Sequence, residues 1–236
     1  MMNARRVRDI DYQLLEGVDR KTTDIVIERD GSIVVRPPLG YTPEQVDNVV
    51  ESKRMWIYRN LAEWRDLNTT AVVREWVNGE TFLYLGRAYR LALVAEQDCD
   101  LKLKEGRFCL NRNLIDTGGL GAGQKAFEVF YSDKGLARIS ERVKYFAAKI
   151  GVEPRSVKIK DMGYRWASCN KNNDLIFHWK CMMAPLKIID YIIVHELCHI
   201  HYLNHSDAFW NEVDKILPDY RERKEWLRRN GASLDL

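Results

Sequence analysis

Short runs of apolar, β-branched residues bounded by polar ones fill residues 8–36 and read as β-structure. Arg8-Asp-Ile-Asp-Tyr-Gln-Leu-Leu15, Asp24-Ile-Val-Ile-Glu28 and Ser32-Ile-Val-Val-Arg36 predict strands, the last two joined by the hairpin signal Asp30-Gly31. Pro37-Pro38 ends the sheet edge. Thr42 and Pro43 then read as the cap and first turn of a helix running to about residue 63 or 66. Its buried stripe is expected to hold Val46, Val49, Val50, Met55, Trp56 and Leu61, with Trp56 and Trp64 as packing residues. From Val72 to Cys109 the strand pattern returns. Asn78-Gly79 is a second hairpin signal, Glu80 to Leu93 reads as two strands about Gly86-Arg87, and Leu101-Lys104 turns through Glu105-Gly106 into Arg107-Leu110. The expectation is a curved antiparallel sheet with the helix over 43–65 packed against it.

Thr117 to Gly123 contains four glycines and reads as a mobile turn. No Lys-Ser/Thr pair follows at the spacing of a phosphate loop. Residues 124–149 predict a helix that Tyr131-Ser-Asp-Lys-Gly135 could divide in two. Pro154 restarts a β-region in which Ser156-Lys160 alternates, and Arg165-Asn170 and Asp174-Trp179 read as two strands of a small sheet joined by the polar turn Asn170-Asn173. Pro185 opens an apolar helix, Ser206 caps another with Phe209, Trp210, Val213, Ile216 and Leu217 on its apolar side, and a last helix spans about 219–229. The class is α+β, read as a β-rich region with one long helix over 1–115 and a second region over 116–236, the two forming one continuous unit.

Composition adds bounds. The 236 residues are 46% hydrophobic and 30% charged, with a formal net charge of +3, too small by itself to argue for nucleic acid. No apolar run reaches the roughly 18 residues of a membrane span, and the first residues do not read as a signal peptide. The five cysteines (Cys99, Cys109, Cys169, Cys181, Cys198) form no C-x-x-C pair, which fits free thiols in a reducing, cytoplasmic setting.

The candidate chemistry lies in the apolar helix, where His195, Glu196 and His199 stand in the order H-E-x-x-H. Histidines four apart on a helix sit about 40° apart around its axis, so both rings can reach one metal ion. Glu196 can then face an open coordination position and exchange a proton with water there. His205 is the third candidate ligand. On a continued helix it would point about 240° away from His199, so the helix must stop near Tyr202 to Asn204, with Asn204 allowing the bend. Asp207 and Glu212 are weaker alternatives. His201 points off the metal face, Cys198 reads as a small buried hydrophobe, and Asp190 as either a supporting or a solvated carboxylate.

Arg165-Trp166-Ala167-Ser168-Cys169, the helix opened by Ala184-Pro185, the histidine set with Glu196, Phe209-Trp210 and Pro218-Asp219-Tyr220 together resemble the YgjP-like metallopeptidase domain family. That family is similar in its zinc site to SprT-like proteases and to minimal zincins. Ala167 stands where the family usually has glycine, and its methyl group narrows the strand's approach to its neighbour. The resemblance implies a zincin-like core, bound Zn²⁺, hydrolysis with Glu196 as general base, and peptide or unfolded-protein substrates. Arg165, Tyr164, Ser168 and His178 are candidate donors to the developing oxyanion. The strand before the metal helix could take an extended peptide by edge addition. Two alternatives stay open: hydrolysis of a nucleotide phosphoanhydride gathered by Arg165, Arg87, Lys158 and Lys160, and a noncatalytic metal-binding or nucleic-acid-associated role.

Overall fold

The computed structural model describes residues 3–19, 21–27, 32–67, 74–163 and 165–236, without the side chains of residues 62–67 and 120. The Asp30-Gly31 pair, Val72, Tyr164 and the Trp64 side chain lie outside the described residues. The fold is mixed α+β, and packing divides it into two compact units, Met1–Ala71 and Val72–Leu236. The division expected at 115 falls inside a helix instead, because residues 81–111 share their core with that helix.

The first unit contains β1 (Asn3–Val7), β2 (Ile10–Leu14), β3 (Asp24–Ile27), β4 (Ile33–Arg36), α1 (Pro43–Ser52) and α2 (Arg54–Leu67). The stretch expected as the first strand forms β2, and an unexpected strand, β1, precedes it: the two pair antiparallel across a turn at Arg8, whose φ is 52°. The sheet runs β1-β2-β4-β3, with a parallel β2–β4 pair at its centre. Thr42 starts α1 through a capping box: its hydroxyl accepts from the Gln45 N–H at 3.3 Å, and the Gln45 side chain accepts from the Thr42 N–H at 2.8 Å.

The helix expected over 43–65 is two helices, divided at Lys53. It also builds its core with the first sheet rather than the second. Val46 and Val50 stand four apart on one face of α1, and with Ile57 of α2 they close over Ile10, Tyr12, Ile33 and Val35. Trp56 and Met55 are rotated about 100° and 200° from Ile57, and both are exposed.

The second unit opens with β5 (Thr81–Tyr84), β6 (Arg87–Val94), β7 (Leu101–Lys104) and β8 (Arg107–Asn111). This sheet repeats the strand order of the first, β5-β6-β8-β7. It is therefore two antiparallel hairpins joined by a parallel β6–β8 pair, not an all-antiparallel sheet. Asn78-Gly79 forms a turn before β5 and does not join two strands; the Asn78 side chain accepts from the Leu93 N–H at 2.6 Å.

Helix α3 (Arg112–Ile150) runs through the expected glycine segment as two helical stretches that meet at a kink. Only Gly119 leaves helical geometry there, with φ 66°, and residues 131–135 continue without interruption. Gly123 is needed because a Cβ would lie 2.7 Å from the Trp76 ring, so close packing against that ring outweighs low helix propensity. Behind α3 lies a three-stranded sheet, ordered β10 (Ala167–Cys169), β11 (Asp174–His178), β9 (Ser156–Lys160). Ala167 keeps its pairing with Phe177, so its methyl is accommodated.

A 3-10 turn over Trp179–Met183 leads to α4 (Leu186–Cys198), followed by α5 (Asp207–Ile216) and α6 (Tyr220–Asn230). Two contacts aim α4. The β5–β6 turn docks under its start, where Leu85 and Gly86 N–H groups donate to the Met182 and Met183 carbonyls at 2.7 and 3.1 Å. Arg142 of α3 grips Asp190 of α4 with two hydrogen bonds of 2.7 Å, which gives this carboxylate a bracing role.

Candidate metal centre

Helix α4 is apolar almost all round, so it runs through the core and carries His195 and Glu196 into buried surroundings. It ends earlier than expected, at Cys198, with His199 as its cap. Shorter turns then follow, His199 N–H to the Glu196 carbonyl and Ile200 N–H to the Leu197 carbonyl. Asn204 is not among the residues with positive φ; the bend is spread over Ile200 to Tyr202, where the His201 and Tyr202 N–H groups both donate back to the Cys198 carbonyl. Ser206, whose hydroxyl accepts from the Phe209 N–H at 3.5 Å, then starts α5 beside the returning chain.

This reversal brings His205 onto the pair from α4. The ligand atoms of His195, His199 and His205 lie within 4.8 Å of one another, and the Nε2 atoms of His195 and His205 are 3.0 Å apart. Tetrahedral zinc with bonds near 2.0–2.1 Å would separate its nitrogens by about 3.3 Å, so the donor set fits such an ion. His199 Nδ1–H donates to the Tyr202 carbonyl at 2.9 Å, which directs the Nε2 lone pair inward. His195 Nδ1 is buried without a partner among the described residues. Burial, with the neighbouring histidines and Lys224, lowers the His195 pKa to about 3, and His205 shifts in the same direction. Both are therefore neutral, the ligating form, near pH 7.

Glu196 is 7% exposed. Burial pushes its pKa up to about 7, against the opposing hydrogen bond from the Cys169 backbone N–H and the charge of Arg165. A carboxylate titrating there can both accept and return a proton at neutral pH.

The other sequence candidates separate. Arg165 is exposed and acts electrostatically on Glu196. Ser168 is half-buried in β10. His178 is buried in a structural role: its Nδ1 accepts from the Lys180 N–H at 3.1 Å and its Nε2 faces Asp161 at 3.5 Å. Among the described residues, neither Asp207 nor Glu212 joins the histidine cluster, and Glu212 pairs with Lys215 at 3.2 Å. His201 is exposed, and Cys198 is buried with its thiol pKa pushed up to about 12.

Sequence reasoning missed the aromatic bed. Phe209, fully buried, has its ring centre 5.0, 4.7 and 4.9 Å from those of His195, His199 and His205. Trp210 stacks on His205 at 5.6 Å, and buried Tyr191 lies 5.9 Å from His195. The signal was present: an aromatic pair at the start of a helix, four and five residues after the third histidine.

Three imidazoles beside a buried carboxylate are the donor set of a metallohydrolase. The YgjP-like metallopeptidase domain matches residues 21–230, and the chain belongs to that family. Among solved structures, the metallopeptidase zymogen of Pyrococcus abyssi abylysin is similar over 37% of this chain and 89% of its own, at 22% identity and a TM-score of 0.35. No curated protein matches the chain. No helix among the described residues is long and apolar enough to cross a membrane.

Proposed function

We propose that the protein is a zinc-dependent metallopeptidase with His195, His199 and His205 as ligands and Glu196 as general base. The observation that carries this is the convergence of three imidazoles, within 4.8 Å, beside a carboxyl held near pKa 7. When bound, zinc supplies Lewis acidity that activates water and polarises a carbonyl. His199 presents Nε2 because its Nδ1–H is engaged by Tyr202; His195 and His205 present their Nε2 atoms to each other across the site. Glu196 takes the proton of the attacking water on a carboxylate oxygen and delivers it to the leaving amine nitrogen. The Cys169 N–H orients that carboxylate. Arg165, exposed beside it, is the best-supported of the four candidate oxyanion donors, since its charge reaches the same group.

The substrate is an extended peptide or unfolded protein. β10 is an edge strand, and its Cys169 contacts Glu196, so a peptide added along that edge would run past the centre. The phosphoanhydride alternative needs Lys158 and Lys160 near the centre, but they lie on β9, across β11 from β10. The test compares zinc-loaded wild type with Glu196→Gln on mixed peptides, unfolded casein and nucleoside triphosphates. Peptide cleavage that Glu196→Gln abolishes while zinc stays bound is the expected result. Phosphate release without peptide cleavage would reject the peptidase reading.

A further inference from the structure

Helix α6 carries five cations, and their pairing is uneven. Arg223 donates to Asp219 at 2.9 Å, while Arg228 and Arg229 both donate to Glu225, at 2.8 and 2.6 Å. Arg221 and Lys224 have no carboxylate partner among the described residues. They stand three residues apart, on one helical face.

Both rest on aromatic rings that lead to the candidate centre. The Lys224 ammonium is 4.3 Å from the Trp210 ring centre, and the Arg221 guanidinium is 5.0 Å from that of Tyr220. Trp210 stacks on Tyr220 at 5.3 Å and on His205 at 5.6 Å, with interplanar angles of 16° and 23°. One indole thus separates Lys224 from the ring of the third histidine. An aromatic face attracts an ammonium without saturating its three N–H donors, so an exposed lysine there keeps donors for an anion. The anionic group of an unmodified peptide is a carboxylate.

We propose that Lys224, assisted by Arg221, is a specificity residue that receives a carboxylate of the peptide substrate on the His205 side of the metal centre. The inference rests on the peptidase reading. The carboxylate could belong to an acidic side chain or to a peptide C-terminus, and both would use the same ammonium.

The test measures binding by calorimetry to zinc-loaded Glu196→Gln protein, which holds peptides without turning them over. Four versions of one peptide are compared: a glutamate with an amidated end, a neutral chain with a free terminal carboxylate, a lysine with an amidated end, and a neutral amidated chain. A carboxylate-bearing peptide is expected to bind about tenfold more tightly than the neutral one, the worth of one charge-assisted hydrogen bond at a partly exposed rim. Which of the two gains affinity identifies the source. Adding Lys224→Met, which keeps an apolar stem on the indole, removes that preference, and Lys224→Glu shifts it to the lysine peptide. Thermal melts of the variants check their folding.

Equal binding of all four peptides, or a preference that survives Lys224→Met, overturns the assignment. Wild-type turnover of the same peptides separates the two readings. Cleavage without charge preference in binding rejects Lys224 alone. Charge-selective binding without cleavage keeps the carboxylate contact of Lys224 but rejects the peptidase reading, and with it the role of that contact in substrate selection. Neither cleavage nor binding rejects both.

Discussion

Phe209→Ala tests how the three imidazoles are held. The ring is fully buried and lies 4.7–5.0 Å from all three histidine rings, so its loss opens a cavity beneath the whole set. A buried Phe→Ala change costs about 3–5 kcal/mol, or a melting point lower by roughly 10 °C in a unit of this size. Two effects on zinc follow from different causes. Lower stability leaves less folded protein to bind, which denaturant melts correct for. Loosened rings lose their shared orientation, and by analogy with other supporting groups around metal sites this weakens affinity about 10- to 100-fold. Phe209→Leu refills most of the cavity and should fall between. The assay is zinc competition against a chromophoric chelator, run beside melts with and without metal. A lower melting point with wild-type zinc affinity would refute the reasoning, reducing Phe209 to ordinary core.

Two further predictions concern stability. In metal-free protein, Glu196 titrates near 7 when folded and near 4.5 in the unfolded chain. Below 4.5 it is neutral in both states; as pH rises to 7 the unfolded form ionises first, so wild type loses stability relative to Glu196→Gln. The gap should grow to about 3 kcal/mol and then level off, read from urea unfolding in chelator at a series of pH values; a pH-independent gap would contradict the buried-carboxyl argument. Gly86→Ala should destabilise by about 2–3 kcal/mol in the same assay, because its φ is +76° and a Cβ would meet Pro185 backbone and ring atoms at 2.8 Å; an unchanged midpoint would mean that the turn does not seat α4.

Local pattern made several elements legible. Thr42-Pro43 and Ser206 marked helix starts because capping is a contact between near neighbours. Glu105-Gly106 marked the hairpin β7–β8, and Gly86-Arg87 marked β5–β6 one residue late: the turn pair is Leu85-Gly86, at positive φ like Glu105-Gly106, and Arg87 already belongs to β6. The parallel β2–β4 and β6–β8 pairs were not legible, since strand periodicity is the same whichever neighbour a strand takes. The glycines at 117–123 misled only in part: the chain does kink at Gly119, but helix continues on either side, where contact between Gly123 and Trp76 outweighs a helix-propensity cost of about 1 kcal/mol per glycine.

By itself the sequence determined the type and spacing of the reactive groups: two imidazoles one helical turn apart, a carboxyl between them, and a third imidazole beyond the helix. It also determined which helices have an apolar face. Tertiary structure decided the rest: the chain reversal that carries His205 back, the burial that raises the Glu196 pKa, the Cys169 N–H that meets it, and the Phe209 ring under all three histidines. Each of these depends on dehydration or contact produced by segments far apart in the chain. Periodicity and spacing report only which way a side chain faces, and the shared environment exists only after those segments have packed together.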